Sequence, residues 1–223
     1  MPRTAKRLPH YLLDRYRAWR ALHFEDDRAW YARLAREGQH PRAMVIACCD
    51  SRVDAVSIFG GEPGDIFVLR NVANLVPPYE PDGMKHGTSA AVEYAVTVLG
   101  VAHILVVGHS NCGGARACHD MCSGNAPDLL KPESFVGPWM EILRPGFDRV
   151  AKVTPDNPAE RIRALEQEAV LVSLRNLESF PFVSDAIGEN LLTLHGVWID
   201  IGEGQMHHFD PVERVFRPVP NRA

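Results

Sequence analysis

Two short apolar runs, Met44-Val45-Ile46-Ala47 and Ile104-Leu105-Val106-Val107, constrain the fold more than any other feature of the sequence. Neither alternates with polar residues, so each reads as a strand buried on both faces, the pattern of a parallel sheet covered by helices. Each run ends in reactive chemistry. The first is followed by Cys48-Cys49-Asp50-Ser51-Arg52, the second by His109-Ser110-Asn111-Cys112-Gly113-Gly114. In an open parallel sheet, ligands collect beyond the carboxyl ends of the strands. The two motifs are therefore placed to share one site.

The stretches between the runs supply the crossovers that parallel strands require. A short helix is expected over residues 53–59, a second strand over 66–69 and a close-packing helix over 89–99, with Ala90, Ala91, Tyr94, Ala95 and Val98. Gly60-Gly61-Glu62-Pro63-Gly64 lacks the spacing of a phosphate-binding loop and is a connector. Residues 123–156, rich in Pro and Gly, read as loop with one short helix near 138–143. Asn157-Pro158-Ala159-Glu160 is a helix start, with an N-cap, Pro at the first position and an acid at the third. That helix is expected to run to about residue 178 and stop before Pro181. Residues 191–201 and 205–209 flank Gly202-Glu203-Gly204 as a hairpin.

Residues 10–36 form a helical arm carrying Tyr11, Leu12, Tyr16, Trp19, Leu22, Trp30, Tyr31 and Leu34. So many large side chains need a surface, either their own domain or a second subunit. The expectation is an α/β fold with a mostly parallel central sheet flanked by helices. It has an N-terminal helical arm (1–36), expected to be a dimer contact, and a single α/β zinc catalytic domain (37–223) ending in an edge hairpin.

A length of 223 residues suits one such domain with an extension. A net charge of −4 argues against nucleic acid as a partner. No apolar stretch reaches the ~18 residues of a membrane span. The basic start (Arg3, Lys6, Arg7) is followed by no apolar segment, since Asp14, Arg15 and Arg17 interrupt it, so a secretory signal is not expected. The early Pro2 and Pro9 and the acids Glu25-Asp26-Asp27 run against a transit peptide. Cysteines at 48, 49, 112, 118 and 122 are odd in number and clustered, which fits reduced thiols in a cytoplasmic protein and not a disulfide framework. Cys118 and Cys122 have no evident partner ligands for a second metal.

Thiolate and imidazole are zinc donors. Cys48 ends one strand, and His109 and Cys112 sit on the turn after another, three residues apart. Three ligands leave a coordination position for chemistry. A closed structural site, with Asp50, Cys49 or a distant residue as fourth ligand, is the alternative. Asp50 and Arg52 favour the catalytic reading. A guanidinium can hold a carboxylate ionised and bidentate beside the metal, which a structural zinc site does not need; the alternative for the pair is a salt bridge that closes the loop.

Cys-x-Asp-Ser-Arg together with Gly-His-x-x-Cys-Gly-Gly resembles the β-class carbonic anhydrases, over roughly residues 36–210. The flanks add to the resemblance: residues 68–74, Val92-Glu93-Tyr94-Ala95, Glu168-Ala169-Val170, and Pro181-Phe182-Val183. Asn74-Leu75-Val76-Pro77-Pro78-Tyr79 places the chain closest to the plant-type branch. The resemblance implies Zn2+ on Cys48, His109 and Cys112, with Asp50 and Arg52 as the catalytic dyad. It implies Gln39, Phe67 and Tyr94 as the substrate pocket for carbon dioxide and bicarbonate. It also implies a homodimer, or a higher even-numbered homo-oligomer, with the active site at the dimer interface.

The activity so implied is reversible hydration of carbon dioxide by zinc-bound hydroxide. Some members carry a Trp three residues before the first cysteine, which builds a regulatory bicarbonate site with an Arg and lets the Asp swing onto zinc. Val45 occupies that position here, with Arg70 at the Arg position. The expectation is therefore the open form, with Asp50 off the metal. Cys49 is expected to point away from the metal. His86, His103 and His119 are candidate proton shuttles by residue type alone. The competing readings are a carbon disulfide or carbonyl sulfide hydrolase on the same scaffold, and a non-catalytic zinc-stabilised scaffold or sensor.

Overall fold

The computed structural model describes residues 5–81, 86–154 and 156–220, so Pro2 and Arg3 of the N-terminal reading lie outside the described residues. The chain divides into two compact units, Met1–His40 and Pro41–Ala223. The first holds α1 (His10–Trp19) and α2 (Arg28–Glu37), joined by a wide helical turn at Arg20–Phe24. Trp19 meets Tyr16, Phe24 and Tyr31 with ring centroids 5.7–6.1 Å apart. Neither helix buries a single residue.

The second unit is built on six strands. In chain order these and their helices are β1 (Ala43–Cys48), α3 (Ala55–Ile58), β2 (Ile66–Asn71), α4 (Gly87–Glu93), β3 (His103–His109), α5 (Gly113–Cys122), α6 (Val136–Glu141), α7 (Arg144–Val153), α8 (Pro158–Glu178), α9 (Pro181–Gly188), β4 (Thr193–Asp200), β5 (Gln205–Asp210) and β6 (Val215–Pro218). The sheet order is β2-β1-β3-β4-β5-β6. The first four strands are parallel and the last two antiparallel.

The unbroken apolar runs form adjacent central strands, as their pattern requires. Met44, Ile46, Ile104 and Val106 face one side and pack with Val92, Val170, Leu177 and Phe180. Val45, Ala47, Val107, Val197 and Ile199 pack together on the other. At 21 residues α8 spans about 30 Å. It starts where the sequence placed it: Asn157 Oδ1 accepts from the Ala159 N–H at 3.0 Å, and Asn157 Nδ2 donates to Glu160 at 2.9 Å.

Three details depart from expectation. The stretch expected to be loop holds α7 as well as α6, because Val150 and Phe147 are an apolar face that closes over α8 and α5. A helix α9 begins at the Pro181 that was read as a stop, since Pro is well suited to a first helical position. The C-terminal hairpin gains a third strand, β6, paired with β5.

Candidate metal centre and the dyad beside it

Cys48 is the last residue of β1 and His109 the last of β3. The register pairs Ala47 with Val107, so both side chains emerge at the same end of neighbouring strands. The chain then has to turn back for Cys112 to reach them. Asn111 does this in the left-handed region (φ 56°), which Asn tolerates better than most residues. Cys112 is the N-cap of α5. The Cys48 and Cys112 sulfurs lie 4.0 Å apart, and the three donor atoms all fall within 4.8 Å of one another. Among the described residues this is the one group of three or more such donors so gathered.

The donor set fits a soft or borderline dication such as zinc. His109 is fully buried. Its Nδ1–H donates to the Ser110 carbonyl at 2.9 Å, which leaves Nε2 as the ring's lone-pair nitrogen. That Nε2 is buried without a hydrogen-bond partner, an arrangement costly unless a cation takes its place. Hydrogen bonding from Cys112, against the opposing effect of burial, pulls the Cys48 thiol well below its usual range. The bond to Cys48, together with burial, pushes Cys112 up. Without a cation only one of the two sulfurs is ionised, and holding both as thiolates side by side needs a positive charge between them.

Asp50 sits at the rim. Arg52 grips it through Nε to Oδ1 (2.9 Å) and Nη2 to Oδ2 (2.6 Å), and the Arg52 backbone N–H adds a third bond to Oδ1 (3.0 Å). These bonds hold the Asp50 carboxyl far below the usual carboxylate range. Arg52 Nη2 also donates to the Asn111 carbonyl at 3.0 Å, tying the first motif to the second. Asp50 Oδ2 lies 4.0 Å from His109 Nε2.

Several residues support the triad, and of these Glu166 was not singled out in the sequence. Glu166 of α8 is 4 % exposed and accepts the Cys112 N–H at 3.1 Å. Burial raises its carboxyl, partly offset by the N–H groups of Cys112 and Asn111. The available signal was its position in the mostly apolar stripe Ile162, Ala169, Ser173 and Leu177. Ser110 ties β3 to β4, its N–H donating to Ile199 and its Oγ accepting from Ile201, each at 2.8 Å. Arg70 clamps the first motif by donating to the carbonyls of Cys48 (3.0 Å), Asp50 (2.7 Å) and Val53 (2.7 Å). Gly114 allows α5 to approach the turn after β2, where a Cβ would stand 2.7 Å from the Ala73 Cβ.

The remaining sequence candidates lie elsewhere. Phe67 and Tyr94 touch each other, with ring centroids 6.0 Å apart. Phe67 pairs in register with Met44, whereas Asn71 pairs with Cys48. Four residues of strand, about 13 Å, thus separate Phe67 from the level of the first cysteine. Tyr94 is 44 % exposed. Gln39 belongs to the N-terminal unit. Val45 is sealed in the core at 1 % exposure. Cys49 is exposed and outside the donor triad. Cys118 and Cys122 face each other at 4.0 Å on α5, with no third donor gathered there among the described residues. His119 is buried against Phe147 and bonded to Asp120. His103 opens β3, six residues and about 20 Å from His109.

The profile of the carbonic anhydrase family matches residues 43–206, which is most of the chain. Beta carbonic anhydrase 3 of Arabidopsis thaliana is 39 % identical over 199 residues, covering 88 % of this chain and 74 % of that protein. Among solved structures, the β-carbonic anhydrase CcaA superposes with a TM-score of 0.84 at 32 % identity, over 95 % of this chain and 92 % of that one. One of two tetrameric β-carbonic anhydrases from Sordaria macrospora gives 0.71 at 32 % identity, over 89 % and 95 %. No helix among the described residues is long and apolar enough to cross a membrane.

Proposed function

The chain belongs to the β-class carbonic anhydrases, on the plant-type side of that class, and from that premise we propose that it interconverts carbon dioxide and bicarbonate at an open, three-ligand zinc site. The observation that carries the proposal is the Asp50–Arg52 pair standing beside the Cys48–His109–Cys112 triad. A purely structural metal site leaves that pair without a purpose.

Cys48, His109 and Cys112 would hold zinc. When bound, the metal supplies a Lewis acid able to bring the ionisation of a water molecule down to about pH 7. The chain's own residues do the rest. Asp50, kept ionised by Arg52, can only accept a hydrogen bond, so Oδ2 orients a donor at the open position and blocks the wrong protonation state. Arg52 also restrains the carboxylate from reaching the metal itself. Two facts support the open form. Val45 leaves no ring to build a regulatory anion site, and the Arg70 guanidinium is engaged by three loop carbonyls.

Phe67 and Tyr94 offer the apolar wall that carbon dioxide requires, and Gln39 a donor for a bicarbonate oxygen. Because Phe67 is so far along β2 from its own triad, we assign this wall to the triad of a second copy across a two-fold axis. β2 is an edge strand, with Tyr94 and Val98 exposed near it. The helices of the N-terminal arm, with no buried residue, fit the same assembly: a homodimer or a higher even-numbered homo-oligomer. The free thiols suit a reducing compartment, the cytoplasm being the reading taken from the sequence.

The test is an assay of the purified zinc protein on carbon dioxide, carbon disulfide and carbonyl sulfide. Fastest turnover of carbon dioxide supports the proposal. Faster turnover of a sulfur substrate makes the protein a hydrolase on the same scaffold, and no turnover of any of them makes it a scaffold or sensor.

A further inference from the structure

At the end of the sheet opposite the triad, two imidazoles face each other with no role in the proposed reaction. His103 begins β3 and His195 lies on β4. The register pairs His103 with Thr193 and Leu105 with His195. The two histidines are thus diagonal neighbours on one face, within reach of each other. His195 Nε2 and His103 Nδ1 are 3.3 Å apart. That is at the long edge of a hydrogen bond. It is also the separation a tetrahedral metal imposes: two nitrogens at about 2.0–2.1 Å from one ion stand roughly 3.3–3.4 Å apart.

A third imidazole shares the face. His208 of β5 pairs with Val197, two residues beyond His195. His195 and His208 line one cavity of ≈ 680 Å³, which Leu105 and Val197 also line. The chemistry of the pair suits ligation too. Burial, and then the neighbouring His103, lower the His195 imidazole, which keeps it neutral with its lone pair free at neutral pH. The ring nitrogens that do not face each other remain available to carry the N–H.

We propose that His103 and His195 form a second metal site, separate from the catalytic triad, that takes a borderline dication such as Ni2+, Zn2+ or Cu2+, with solvent filling the remaining positions. Imidazole donors select these ions over Mg2+ and Ca2+. Bound there, the ion clips the opening residue of β3 to β4.

The experiment titrates Ni2+ into the full-length, zinc-loaded protein by calorimetry, with retained zinc measured by elemental analysis. One Ni2+ per chain is expected in addition to the retained zinc. That equivalent should disappear from the titration in His103→Gln and in His195→Gln, while both variants melt as the parent does without nickel. X-ray absorption at the nickel edge of the unmutated protein should show imidazole scattering, a readout independent of how the variants fold. Absence of an extra equivalent overturns the assignment, as does binding that survives in both variants or a nickel shell without imidazole.

Discussion

Glu166→Ala separates a carboxylate that positions the metal ligands from one that merely fills space. In the folded chain Glu166 accepts the Cys112 N–H at 3.1 Å from a site only 4 % exposed. Alanine leaves that buried donor unsatisfied, a loss of about 1–3 kcal/mol. For a chain of this length each kcal/mol moves the melting temperature by about 2–4 °C. A loss of about 2 kcal/mol therefore predicts a melting temperature lower by about 4–8 °C, read at fixed protein concentration because association shifts it. The sharper readout is zinc affinity. Residues that orient ligands through hydrogen bonds are worth about 10–100-fold in metal binding, so chelator competition should show a loss in that range. Glu166→Gln keeps an oxygen acceptor of the same shape and should recover most of both effects. Zinc affinity within about twofold of the parent in Glu166→Ala would refute the reasoning, and would show that Asn111 and α5 hold Cys112 in place without help.

Asp50→Asn should keep zinc and lower carbon dioxide hydration by about 10²–10⁴-fold, the range for a positioned acid–base group. The folded Asp50 carboxyl is depressed, so its contribution is present above its unfolded value of about 3.9 and is lost only as pH falls through the lower folded value. The ratio of parent to Asp50→Asn activity should then stay flat from alkaline pH to about pH 5, and a ratio that collapses within that interval would contradict it. Gly114→Ala should cost about 1–3 kcal/mol, measured by denaturant unfolding, because its Cβ meets the Ala73 Cβ at 2.7 Å and neither group can turn away. Mixing Asp50→Asn with Phe67→Ala should regenerate activity, since a hybrid dimer contains one site with an intact Asp50 facing an intact partner Phe67. No gain over the separate variants would place Phe67 with its own triad.

What the sequence made legible was local or periodic. Unbroken runs at 44–47 and 104–107 are visible because burial on both faces forbids polar alternation, and strand ends follow directly from them. The ligands Cys48, His109 and Cys112 and the dyad of Asp50 and Arg52 lie within a few residues of those ends, so they could be read together. Glu166 could not. Its partner is 54 residues away, and a glutamate on a charged helix looks like solvent-facing surface until the apolar stripe around it is laid out. Arg70 was read for its part in an anion site, whereas its three bonds go to the carbonyls of residues 48–53, contacts that depend on β1 and β2 being neighbours. α7 stayed hidden behind Pro145 and Gly146, which read as loop, although Phe147 and Val150 behind them recur at helical spacing and pack against α8 and α5.

The central claim, an open zinc site with Asp50 reserved for Arg52, is tested most directly by a crystal structure of the zinc-loaded enzyme at slightly alkaline pH. The account predicts Cys48, His109 and Cys112 on the metal, a solvent oxygen as fourth ligand, and Asp50 still bidentate on Arg52. An Asp50 oxygen bonded to zinc, with Arg52 released, would contradict it.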